Sequence, residues 1–375
     1  MNIRTLAQAI LISALSAASM SCNGNGKAAA ADDASKPLTA ADILRARLDS
    51  IAAAGKVAFG HHDDPVYGHT WCGDENRSDV LESSGDYPAV MDWDLGGLEL
   101  NDTVNLDKVS FNRIRREVVA QNARGGFNTF SWHTRNPVNL GTSWEAGDTT
   151  IVSKIMNDPE ITQRYRDNVK ALAAFFNSLV DESGNKIPVV FRPWHEHSGD
   201  WFWWGSRQCT PEQYKFLWHE MRKVMDAEGV DNVLWAYSPD RVRSVEQYME
   251  RYPGDEYVDI LGSDVYHFNG QEGLEQYNTD AARSLGIAAD KAQKRNKILA
   301  FTETGSEGIP MESWWTDVLL PILGRYPVSY IVVWRNAHDN PRHYYVPFKG
   351  HPAEASFVEF RNNESTLFAK DMKQF

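Results

Sequence analysis

The sequence predicts an α/β fold of the (β/α)8 barrel class, on three observations. After residue 38, eight short apolar runs alternate with longer amphipathic segments. Each run begins with near-continuous apolar residues, as parallel strands do when both faces are covered. Each run also ends in polar or aromatic side chains, while the opposite ends are chemically plain. On a barrel the carboxyl ends of the strands carry the active site. A doubly wound sheet would gather such residues at one switch point instead.

The chain begins with a leader. Arg4 supplies charge, an apolar stretch runs from Leu6 to Leu15, and small residues follow, the pattern of a secretory signal over residues 1–21. The apolar part is too short to span a bilayer as a mature helix. Cys22 follows Ser-Met-Ser and resembles the acylated cysteine of a bacterial lipoprotein, although Ser19 stands where such signals usually have leucine. Residues 22–38 are small and polar, which suits a flexible tether. NGNGK after Cys22 lacks an acidic cluster. The expected address is therefore an outer-membrane lipoprotein facing the periplasm, with the cell surface as the alternative.

One domain, residues 39–375, follows. It is expected to open on a helix at 39–54. Strands are expected at 56–62, 88–95, 126–133, 187–196, 232–239, 258–266, 297–303 and 328–336. Helical patterns lie between them, among them 161–180 and 212–229. The strand ends carry His61 and His62, Asp92 and Asp94, Trp132 and His133, His195 and Glu196, Ser238 and Asp240, Asp264 and Tyr266, Thr302 and Glu303, Trp334 and Arg335.

Composition narrows the chemistry. The chain is 42% hydrophobic and 24% charged, as soluble globular proteins are. A net charge of -13 argues against a nucleic-acid partner and suits a neutral one. Thirteen tryptophans are many, and Trp71, Trp144 and Trp201 lie in polar sequence surroundings, which favours a sugar-binding surface over extra core. Cys72 and Cys209 remain in the mature chain, and their spacing leaves a disulfide open.

FRPWHEHSGDWFWWG (191–205) sets five ionisable groups among four tryptophans. A buried strand would need a partner for every one of those polar groups. A cleft does not. Tryptophan faces stack on sugar rings, and a carboxyl between them can act as an acid. Alone, Glu196 would be read as an ion-pair partner of Arg192 or Arg335. Glu303, at the end of the seventh run, changes that. Two carboxyls at corresponding strand ends above an aromatic floor are what glycoside hydrolysis needs. A non-catalytic glycan-binding lipoprotein would keep the tryptophans and lose a carboxylate.

Other sites find less support. His61, His62, His133, His195, His197 and His267 show no HExxH spacing and sit on separate strand ends, so no metal is expected. Gly60, Gly96, Gly97, Gly125 and Gly126 lie at turns without a phosphate loop's lysine, so no nucleotide cofactor is expected. Ser143 in GTSWE has no nucleophile elbow around it.

RPWHEHSGDWFWWG, FTETG, SDVY, SWH and VVWRN together resemble glycoside hydrolase family 26, chiefly its β-mannanases, over residues 40–370. GHHDDPVYG and GDYPAVMDWDLGGLEL also look like the mannanases of gut Bacteroidetes. The resemblance implies a retaining glycoside hydrolase that cleaves β-1,4-mannosidic bonds in β-mannan, galactomannan or manno-oligosaccharides; a monomer is expected. By motif, Glu196 matches the acid/base and Glu303 the nucleophile. His195 matches the histidine that touches sugar at the cleavage point, Trp201 a cleft aromatic and Tyr266 the tyrosine bonded to the nucleophile. Trp334 matches the platform under the sugar at subsite −1, and His133 and Arg335 match glycone-side contacts. His197 and Ser198 stand where many relatives have Met-Asn. A β-1,3-xylanase and a mixed-linkage β-glucanase share the scaffold and remain alternatives. Mannobiose release from a chain end needs a loop that closes the cleft, and loops 63–77 and 136–158 are long enough for that, so internal cleavage and mannobiose release stand as alternatives.

Overall fold

The computed structural model describes residues 37–375. The leader and Cys22 lie outside the described residues. The predicted barrel is present. Its strands are β1 (Val57–His62), β2 (Val90–Asp94), β3 (Phe127–Ser131), β4 (Val189–Arg192), β5 (Val233–Tyr237), β6, β7 (Ile298–Gly305) and β8 (Tyr330–Val333). β6 comes in two pieces, Ile260–Leu261 and Asp264–Tyr266, broken at Gly262 and Ser263. Neighbours pair in parallel, and β8 pairs with both β7 and β1, which closes the ring.

Side chains alternate across each strand, and two cores result. Ala58, Val90, Val190, Leu234, Ile260, Ala300 and Val332 point inward. Phe59, Trp93, Phe130, Phe191, Trp235, Phe301 and Ile331 point outward against the helices. Burial on both faces is why the runs are apolar throughout. Gly60 is inward too: a Cβ there would lie 2.6 Å from the Ile331 carbonyl oxygen. The leading helix, Ala40–Ala53, starts with a capping box between Thr39 and Asp42. It adds Leu44, Leu48 and Ile51 to the inner core.

The inward row changes character toward the carboxyl ends. Apolar residues give way to Asp92, Thr129, Arg192, Ser238, Asp264 and Thr302, all buried. Two irregularities sit at this rim. β7 carries a bulge between Phe301 and Thr304, so one extra residue is inserted beside Glu303. A bulge of this kind re-aims a side chain. β4 stops at Arg192, because Pro193 has no N–H to give the sheet. Trp194 and Glu196 then adopt φ of 53° and 52°, left-handed values that bulky residues avoid.

The tryptophans need a correction. Trp93, Trp132, Trp194, Trp203, Trp204, Trp218, Trp314 and Trp315 are fully buried. Trp71 is buried as well, its Nε1–H donating to Asp79 at 2.7 Å. Trp144 and Trp201 are exposed, as expected. Most of the tryptophan content is therefore core, including three of the four in WHEHSGDWFWWG. Cys72 is exposed, Cys209 is buried, and both are free, so no bridge links them.

Candidate active site

Glu303 is positioned by three strands. Its Oε2 accepts from Arg192 Nη2 at 2.5 Å, and its Oε1 accepts from the Tyr266 hydroxyl. Arg192 comes from β4 and is wholly buried. Its Nη1 donates to Asp264 Oδ2 at 2.8 Å, and Thr302 Oγ1 donates to Asp264 Oδ1 at 2.7 Å. One guanidinium thus spans two carboxylates. Burial works against its charge, but Asp264, Glu303 and Asp92 outweigh burial and hold Arg192 protonated. Tyr266 is kept neutral by burial and by the charge of Glu303. Glu303 therefore faces the barrel mouth as a fixed acceptor between two donors.

Glu196 has the opposite surroundings. Burial pushes its carboxyl well above the usual range, and the charges of Glu303, Asp264 and Asp240 add to this against Arg192. Its backbone N–H donates to the Ser238 carbonyl oxygen at 2.9 Å, and its own carbonyl accepts from the Gly199 N–H at 2.9 Å. These bonds hold the left-handed conformation. Trp201 Nε1–H donates to Glu196 Oε2 at 2.8 Å. The ring is thus not purely an apolar wall: its N–H favours the ionised carboxyl, and the upward shift comes from burial and neighbouring charge. A Cβ on Gly199 would lie 2.3 Å from the Trp201 ring, so only glycine lets the ring lie there.

His133 and His195 meet edge to face at 4.6 Å. Burial, then the charge of Arg192, keeps His195 neutral. His133 Nδ1 lies 2.7 Å from Asp94 Oδ2. Burial would raise Asp94, but His133, the Gly96 amide and Ser131 outweigh it and hold the carboxyl down to about 2. Trp144 stacks on His133 at 5.0 Å. Its loop is pinned to the β4 rim by the Trp203 N–H, which donates to the Ser143 carbonyl. That main-chain contact is what residue 143 contributes.

Trp334 and Arg335 stand half-buried after β8. Arg335 Nη1 donates to Asp107 Oδ1 at 2.5 Å and to the Tyr67 hydroxyl at 3.4 Å. His69, in the loop after β1, stacks flat on Phe348 at 3.7 Å and reaches the Pro341 carbonyl at 3.1 Å. Loop 63–77 is thereby locked to the loop after β8. On the other flank a cavity of about 1000 Å³ opens between Trp201, Asp240, Arg241, Arg243, Gln276 and Asp280. Burial leads the causes that push Asp240 up to about 6.

All eight site residues expected in the barrel (Glu196, Glu303, His133, His195, Trp201, Tyr266, Trp334 and Arg335) stand at the carboxyl-end rim. His197 does not reach the cleft. It is buried between Tyr214 and Tyr237 at 4.6 and 4.7 Å, while Ser198 donates to the Asp240 carbonyl. The Met-Asn departure therefore changes packing behind Glu196. Sequence reasoning missed Asp107, whose partners lie 228 and 45 positions away, and saw Arg192 only as a generic ion-pair partner. His62, Asp63 and Asp107 offer atoms within 4.8 Å of one another, the one group among the described residues with metal-ligand chemistry. No local spacing announces it.

The chain is similar to known proteins. Mannan endo-1,4-beta-mannosidase of Bifidobacterium adolescentis is 29% identical over 354 residues, covering 87% of this chain and 34% of the relative. The chain thus spans about a third of that protein. The Bacillus subtilis enzyme of the same name is 28% identical, covering 74% of this chain and 73% of its own. A solved GH26 beta-mannanase from Bacteroides ovatus superposes with a TM-score of 0.86 at 45% identity, covering 88% of this chain and 95% of that one. The model of glycosyl hydrolase family 26 matches residues 35–340. With its closed parallel barrel and two carboxyls at the ends of β4 and β7, the chain belongs to glycosyl hydrolase family 26.

Proposed function

We propose that this protein is a retaining glycosidase that cleaves β-1,4-mannosidic bonds in mannans and manno-oligosaccharides. One observation carries the reading: two carboxyls at one barrel mouth with opposite surroundings, Glu303 between an arginine and a tyrosine donor, Glu196 held protonated by burial and negative neighbours. Such a pair separates the acid from the nucleophile at one pH. Glu303 attacks the anomeric carbon while Glu196 protonates the leaving oxygen. The negative charge on Glu303 is then consumed in the glycosyl ester. Glu196 loses the repulsion that kept it protonated, and it takes a proton from the water that releases the sugar.

Trp334 serves as the platform under the sugar at the cleavage point. His195, Tyr266, His133 and Arg335 line the glycone side, and Trp201 lies where the leaving portion departs. The names of the relatives support mannan as substrate. The lock between loop 63–77 and the loop after β8 bounds the glycone end and supports short products, mannobiose above all.

Glu303→Gln and Glu196→Gln should each abolish hydrolysis of unactivated mannan with the fold intact, since the acid alone supplies roughly 10²–10⁴ in rate. Near-wild-type turnover in either variant refutes the assignment. Product analysis on linear mannan and galactomannan, beside β-1,3-xylan and mixed-linkage β-glucan, tests the substrate. Faster hydrolysis of either of the last two would replace mannan.

A further inference from the structure

We propose that His62, stacked beneath Trp334 and held by Asp92, is a positioning residue that forms the underside of the Trp334 platform and fixes that ring for catalysis. The proposal rests on the reading of Trp334 as the sugar platform.

The geometry is specific. The His62 ring lies 4.3 Å from the Trp334 ring, at 25° between planes. Neither ring can tilt without moving the other. His62 is completely buried, so its face of the indole is closed to substrate, and sugar is left the opposite face. Three carboxylates from three segments surround the imidazole. Nδ1 is 2.5 Å from Asp92 Oδ2 on β2. Nε2 is 3.3 Å from Asp63 Oδ2 and 3.7 Å from Asp107 Oδ2. Nδ1 thus has its hydrogen-bond partner in Asp92, which fixes the plane of the ring, while Nε2 lies among carboxylates without a hydrogen bond.

The same carboxylates reach the other glycone-side groups. Asp107 also accepts from Arg335, and Asp63 accepts from the Tyr67 hydroxyl at 2.8 Å. Tyr67 in turn meets Arg335. His62 is thus the hub that joins the platform to the neighbouring arginine.

A divalent metal would fit the same His62, Asp63 and Asp107 atoms and makes a clear competitor. Arg335 already pairs with Asp107, so one of the two carboxylates in that group has its counter-charge.

The test is a double-mutant cycle on kcat and KM for a manno-oligosaccharide, with melting temperature followed in parallel. Trp334→Ala and His62→Gln should each lower kcat, His62→Gln by about tenfold with little change in KM. In the Trp334→Ala background His62→Gln should cost nothing further, because its effect passes through the indole. Should His62→Gln not fold, Asp63→Asn, which leaves the ring in place and lies outside the Arg192 contacts, should show a loss in the same direction and the same dependence on Trp334. Multiplying effects, or unchanged kcat in folded His62→Gln, would overturn the proposal while leaving the platform intact. A Trp334→Ala variant with wild-type kcat would defeat the platform reading and this proposal together. Extended EDTA treatment should leave activity unchanged. A stoichiometric metal whose removal abolishes activity would also overturn it.

Discussion

The acidity of Glu196 is set by a contest that can be read atom by atom. Burial and three nearby carboxylates favour its protonated form. The Trp201 N–H opposes them, because a donor to Oε2 stabilises the charged form. The protonated form is the one that starts the reaction. Activity should therefore hold while the pH stays below the raised pKa and fall as the pH climbs through it. Trp201→Phe removes the donor and keeps an aromatic ring. Its alkaline limb in kcat/KM should move to higher pH, even though weaker sugar contact lowers the plateau. A pH–rate profile of the two proteins checks this, and a limb that moves to lower pH would show that the indole acts on Glu196 in another way.

Both reacting carboxyls sit where regular structure breaks. Glu303 lies within a bulge in β7, and Glu196 lies in a left-handed turn after Pro193 ended β4. The apolar runs made the eight strands legible within a few residues, and the polar ends identified the working rim. The breaks were not legible, because they come from pairing with neighbours distant in sequence. The β4 run ended four residues earlier than its pattern, and the β6 run split at Gly262 and Ser263. The motif tryptophans were overread for a similar reason. Trp203 and Trp204 donate to the backbone carbonyls of Thr134 and His195, so a polar-looking sequence neighbourhood hid a buried floor. Arg192 ties β4, β6 and β7 together at this level. Arg192→Met should strand Glu303 without its counter-charge, beside an Asp264 carboxyl that burial pushes up to about 8, at a cost of about 3–5 kcal/mol. Thermal unfolding at neutral pH should show that loss. A variant as stable as the wild type at neutral pH would show that the carboxylates do not depend on the guanidinium.

At the scale of the whole chain, the rim is neutral in demand while the molecule is not. A net charge of -13 over the whole chain gives no electrostatic attraction for a neutral glycan. No helix among the described residues is long and apolar enough to cross a membrane. Membrane attachment through Cys22 and the tether behind it is proposed on the lipoprotein-like leader sequence alone. Each buried methylene of an acyl chain adds about 0.8 kcal/mol, so a multiply acylated cysteine anchors firmly. Cys22→Ala should release the protein from the membrane fraction. Protease added to intact cells should spare the wild type if it faces the periplasm. A wild-type protein already soluble in cell fractions would refute the anchor, and surface labelling of intact cells would refute the periplasmic face.

The central claim is that Glu303 forms a covalent bond to the sugar while Glu196 handles the protons. A mannobioside with fluorine at C2 of the reacting sugar and a good leaving group slows the second step more than the first. Incubated with the enzyme and followed by intact mass and peptide mapping, it should leave one glycosyl group per protein, on the peptide carrying Glu303. The Glu303→Gln variant should take up none. Label on any other residue, or no label with a product of inverted anomeric configuration, would contradict the account.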